Sequence, residues 1–111
     1  KLCMSMFEVT ECYKKLQAME TATPKQLLSM SASRFEINVA IRKAFIDVMA
    51  NLEKCCPALT NDDLFYCVLS LMHCSNIVIL ELMNVSSEAL KMRKSRIKGK
   101  LREDIFEYIF C

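Results

Sequence analysis

One Gly and two Pro in a chain of 111 residues leave few positions for the tight turns of an all-β fold, which need residues that tolerate positive φ. Helices joined by short polar turns are the expected solution. Hydrophobic residues make up 53% of the chain, enough for a core in one domain, or in one domain with an appended helical arm. The first residue is Lys1 rather than Met, so the sequence reads as part of a longer protein.

The pattern of caps and apolar stripes places the helices. Leu2, Met6, Val9, Tyr13 and Leu16 alternate spacings of four and three, which predicts one amphipathic helix. Barely two heptads are present, so packing on its own domain is favoured over a coiled-coil seam. Thr23-Pro24-Lys25-Gln26 is a helix start, with Thr23 as N-cap, Pro24 at the first position and Gln26 in the capping-box place. Ser33 with Glu36 repeats the box, and Ile37, Ile41, Phe45, Val48 and Leu52 mark the buried face of a long helix that ends at Cys56-Pro57. Thr60 with Asp63 caps the next helix, which carries Leu64, Cys67, Val68 and Leu71 inward and breaks at His73-Cys74. Ser75 caps an apolar helix over 77–83, closed by Asn84, a residue that tolerates the left-handed conformation. Ser86 caps the helix after it.

Several chemistries find little support. Seven cysteines without regular spacing, most among apolar neighbours, read as reduced small hydrophobes rather than a disulfide scaffold. His73 with Cys67 and Cys74 lacks a Cys-x-x-Cys or a second His, so no metal and no cofactor is expected. Adjacent Asp62 and Asp63 at a helix start serve the helix dipole, and no nucleophile and base pair, Gly-rich phosphate loop or paired-acid spacing appears, so the chain does not read as an enzyme and no small-molecule substrate is expected. The eight Met residues fall mostly on apolar stripes, where they fill core. No apolar run approaches the roughly 20 residues needed to span a bilayer, and no cleavable signal is visible.

The charge pattern is more specific. Of 15 Lys and Arg residues, seven lie in the run Lys91-Met92-Arg93-Lys94-Ser95-Arg96-Ile97-Lys98-Gly99-Lys100-Leu101-Arg102, and no other Lys or Arg follows Lys54. A chain of net charge +2 thus carries one strongly positive element. Leu90, Ile97 and Leu101 recur within it at helical spacing, giving the helix a stripe to bury while its charges face outward. A docked basic helix with a free face suits the DNA major groove; a solvated face without a ligand is the bland alternative.

Leu59-Thr60, Ser75-Asn76, Ile79, Leu82, Val85-Ser86, Leu90, Ile97 and Lys100-Leu101 together resemble, without a gap, the LuxR/GerE-type helix-turn-helix pattern. The likeness covers Leu59 to Leu101. The flanks, with Tyr13-Lys14-Lys15-Leu16 and the Phe45 to Leu52 helix, are similar to the cytoplasmic output end of bacterial tetratricopeptide-repeat, membrane-anchored transcriptional regulators. The resemblance implies an all-α fold: a helical bundle with a LuxR/GerE-like helix-turn-helix of the winged-helix-like superfamily and an N-terminal helical arm. It implies an N-terminal helical region at 1–57, a DNA-binding domain with its C-terminal helix at 58–111, and a cytoplasmic location, with a membrane only through absent upstream parts. The sequence departs from the pattern at His73-Cys74, where a small residue, usually Gly, ends the first helix, and at Ile77-Val78, where a polar residue and Glu are usual.

In this register the recognition helix covers about 87–101. At 100° per residue from Leu90, Glu88, Lys91, Met92, Ser95, Gly99 and Arg102 point away from the core, with Arg96 beside them. Lys91 and Ser95 are the expected base-edge contacts, with Met92 against a thymine methyl and Glu88 on cytosine. Lys94, Arg96, Lys98, Lys100 and Arg102 are expected on phosphates, as is Thr60 at a helix N-terminus. Pairing in this group commonly uses the helix after the recognition helix, so Ile105, Phe106, Ile109 and Phe110 are the expected seam of a homodimer on double-stranded DNA. The alternative is a protein-interaction or oligomerisation module on a degenerate helix-turn-helix, with Ile77 and Val78 meeting a partner.

Overall fold

The computed structural model describes residues 2–8 and 10–111, and the side chains of all of these except residues 2 and 3. Leu2 and Val9 of the first stripe therefore lie outside the described side chains. The described residues form helices and no strand: α1 (Leu2–Glu8), α2 (Glu11–Glu20), α3 (Pro24–Ser29), a 3₁₀ turn (Ser31–Ser33), α4 (Arg34–Ala44), α5 (Ile46–Cys55), α6 (Asn61–Leu71), α7 (Asn76–Met83), α8 (Ser87–Lys100) and α9 (Glu103–Phe110). None is long and apolar enough to cross a membrane.

Local chemistry accounts for most of these boundaries. Thr23 and Gln26 exchange the two hydrogen bonds of a capping box at the start of α3, and Thr60 and Asp63 do the same for α6. Ser75 and Ser86 accept from the N–H groups of Val78 and Ala89, which starts α7 and α8. Asn84 closes α7 at φ 55, and the Val85 N–H reaches back to the Leu80 carbonyl at 3.2 Å, a Schellman-type ending.

Three expectations are corrected. The helix expected from Leu2 to Leu16 is two helices, because Thr10 accepts from the Tyr13 N–H at 3.2 Å and caps α2 anew. That break resets the helical phase: Met6 is 58% exposed while Phe7 is wholly buried, edge-on to Tyr13 and Phe45. Ser33 is helical and makes no capping bond, because the 3₁₀ turn runs directly into α4, and Glu36 pairs with Lys15 at 2.6 Å instead. The long helix divides at Phe45, whose φ of −107° and ψ of 22° leave the helical region, so that Met49 is buried where Val48 was expected to be. Its end before Pro57 is as the sequence requires.

One hydrophobic cluster runs from Phe7 and Leu16 through Ile37, Ile41 and Phe45 to Leu64, Val68, Ile79, Leu90, Ile97, Phe106 and Ile109. Residues on either side of position 57 share it. Polar ties reinforce the junction: Arg34 donates to the Glu81 carbonyl at 2.7 Å and to its carboxylate at 2.9 Å, and the Asn38 amide donates to the Leu82 carbonyl at 2.9 Å. Both link α4 to α7, so the last four helices rest on a braced platform.

Candidate nucleic-acid interface

α8 is held to the body by two different forces. Leu90, Ile97 and Leu101 are buried, as their spacing predicts. Between them Arg93 and Lys100, seven residues apart and thus on one side of the helix, reach Asp63 at 2.7 and 3.2 Å.

Asp63 is 3% exposed and also accepts from the Thr60 N–H at 3.0 Å. Burial pushes its carboxyl pKa up, but hydrogen bonds from Thr60, Lys100 and Arg93 outweigh that and hold it below the usual carboxylate value. The carboxylate that caps α6 therefore also fixes the rotation of α8 about its axis. Arg93 was absent from the expected site residues; the signal was its i+7 relation to Lys100, opposite a capping carboxylate.

This geometry sorts the basic run. Lys100, expected on phosphate, turns inward to Asp63. On the other flank, Lys94 and Lys98 lie over the rings of Phe110 and Phe106 at 5.6 and 5.8 Å, and each is exposed to solvent. Arg102 pairs with Asp104 across an exposed 2.7 Å contact, which contributes little. Lys91, Met92, Ser95 and Arg96 are exposed on the outer face, Met92 at 63%. Among the described residues Lys91, Lys94, Arg96 and Lys98 have no carboxylate partner within ion-pair distance. Glu88, also exposed, sits in the first turn of α8, where the helix dipole favours it.

Thr60 is corrected as an anion site. Its N–H is taken by Asp63, and the first turn of α6 already carries Asp62 and Asp63, which repel phosphate.

The α9 residues are placed differently from the expected dimer seam. Phe106 and Ile109 are buried in the chain's own core, Phe110 stacks edge-on against Tyr66 at 5.1 Å, and Ile105 and Phe110 are half-buried. Their apolar edge closes over α6 instead of facing solvent.

Both departures from the helix-turn-helix pattern have a structural answer. His73 adopts φ 62, the left-handed conformation that a Gly takes freely, and the Cys74 N–H bonds the Leu69 carbonyl at 3.1 Å to close α6. Val78 is 1% exposed and part of the core, which leaves only Ile77 on the surface, 59% exposed.

No family model, curated protein or solved structure matches the chain. The site is therefore defined by its own geometry. Burial pushes the Cys67 and Cys74 thiols up to about 12, so neither forms a thiolate near neutral pH. Among the described residues no group of three His, Cys, Asp or Glu is placed to hold a metal ion.

Proposed function

We propose that this chain is a DNA-binding output domain of a transcriptional regulator, with α8 entering the major groove of duplex DNA. The observation that carries the reading is the two-sidedness of α8. Its inner side is pinned by Leu90, Ile97 and the Asp63 ion pairs, while Lys91, Lys94, Arg96 and Lys98 have no carboxylate partner within ion-pair distance among the described residues. A helix that cannot rotate presents the same side chains to every base step, which direct readout requires.

In this reading Lys91 and Ser95 contact base edges, Met92 meets a thymine methyl, and Lys94, Arg96 and Lys98 fix register on phosphates. Glu88 limits the bases accepted beside Lys91. A cytoplasmic location and attachment to an upstream sensor belong to the same proposal. In the competing interaction-module reading, only Ile77 of the Ile77-Val78 pair is left to meet a partner, since Val78 is in the core.

The test is to replace Lys91 and Ser95 singly with Ala and measure binding to an enriched duplex and to random duplex. A base reader loses about 1–3 kcal/mol on the enriched site and little of that on random DNA. Equal losses on both would assign the residues to the backbone and sink the claim that they read sequence.

A further inference from the structure

Three of the exposed large apolar side chains outside α8, Met6, Phe35 and Val39, converge on one groove. Met6 of α1, Thr10 and Cys12 at the start of α2, and Phe35, Val39, Ala40 and Ala44 of α4 line a cleft of about 650 Å³, rimmed by Glu36 and Lys43. Phe35 is 77% exposed, Met6 58% and Val39 48%. Single exposed hydrophobes need no explanation, but a contiguous apolar groove on a soluble surface marks a contact site.

We infer that the occupant of this groove is a second copy of the same chain, with α4 packed antiparallel on its symmetry mate about a two-fold axis between Val39 and Ala40. Charge and size both select this arrangement. In that register position i faces position 79 − i, so Glu36 lies opposite Lys43 of the second copy and Lys43 opposite its Glu36. The Glu36–Lys43 pair therefore forms twice, once on each side of the axis, as an isologous interface requires. Lys43 has no carboxylate partner among the described residues, and Glu36 keeps a 62% exposed side chain beside Lys15. The same register sets Phe35 against Ala44 and Val39 against Ala40, so each large residue faces a small one across the axis. Burial of Phe106 and Ile109 against the chain's own core removes the seam expected on α9, and the groove is lined by no residue of α8.

The test uses the unmodified chain. Equal amounts of nitrogen-15-labelled and unlabelled protein are mixed, treated with a zero-length carbodiimide cross-linker and digested for mass spectrometry. A mixed-isotope peptide joining Glu36 to Lys43 is the expected result, with the same-isotope Glu36–Lys15 link as internal control. In sedimentation, Phe35→Ser should weaken the dimer by at least about tenfold, the behaviour of an aromatic anchor, with an unchanged melting temperature at concentrations where both proteins are dissociated, because the side chain is exposed in the single chain. A chain that sediments as a monomer at every concentration, a mixed-isotope link elsewhere, or a dimer indifferent to Phe35→Ser overturns the seam. Monomers that bind DNA would overturn the seam and leave the DNA reading standing; paired chains without DNA affinity would do the reverse.

Discussion

Replacing Asp63 with Asn removes one negative charge from a site that holds two cations in place. Asp63 is 3% exposed, and its oxygens receive Arg93 at 2.7 Å, Lys100 at 3.2 Å and the Thr60 N–H at 3.0 Å. Removing one partner of a buried pair typically costs about 3–5 kcal/mol, because the other charge is left uncompensated. Here the Arg93 and Lys100 side chains keep 21% and 30% exposure, so they can extend to water, and Asn still accepts from Thr60. The expected loss is therefore about 2–3 kcal/mol, or roughly 9–13 °C in melting temperature for a chain of this length. Urea unfolding at pH 7 measures it. A loss below about 0.5 kcal/mol would refute the argument that this carboxylate anchors α8. Replacing the trio together with Leu, Met and Met should restore most of the stability, since a well-packed apolar set serves as well as a buried ion pair. The acid dependence has a definite sign. The folded-state pKa of Asp63 is depressed, so its stabilisation is fully present above the unfolded value near about 4 and is lost as pH falls through the folded value. The gap between native and Asp63→Asn protein should hold steady from pH 8 to about pH 5 and narrow below about pH 4.

Other positions give independent checks. His73→Gly relieves a left-handed residue at φ 62 and should raise stability by about 0.5–1 kcal/mol in urea unfolding; a loss would mean that the His73 side chain makes a contact of its own. In thiol titration at pH 8, the exposed Cys55 and Cys111 should react rapidly, Cys67, wholly buried, should react only after unfolding, and the half-buried Cys74 should react slowly, since burial pushes its thiol up to about 12. Fast labelling of Cys67 in the native state would contradict its placement. Phe106→Ala should cost about 3–4 kcal/mol of folding stability and leave the association state of the remaining folded protein unchanged; dissociation without destabilisation would return α9 to the role of a seam.

The parts of the fold that depend on local chemistry were legible in the sequence. The Thr23, Thr60, Ser75 and Ser86 caps, the Asn84 ending and the stop before Pro57 each need only a few neighbouring residues to form. The breaks at Thr10 and Phe45 were not legible, because both stripes continue through them in helical phase, while the folded chain caps α2 at Thr10 and packs Phe7 edge-on against Phe45. The candidate interface divides in the same way. Its outward face follows from 100° rotation about Leu90. The inward turn of Lys100 depends on Asp63, which is 37 residues away in sequence, and no local pattern encodes that distance. The burial of Phe106 and Ile109 was hidden for a related reason, since an amphipathic terminal helix has the same pattern whether it covers its own core or a neighbour's.

The central claim is that the outer face of α8 binds duplex DNA, and its most direct test is selection of binding sequences from a random duplex pool followed by a salt titration on the enriched site. If Lys94, Arg96 and Lys98 engage phosphates while Lys91 reads a base edge, log affinity should fall with log salt at a slope of about −3 per chain. Replacing Lys94 and Lys98 with Ala should flatten that slope by about 2. Failure to enrich any sequence, together with a slope near zero, would contradict the account.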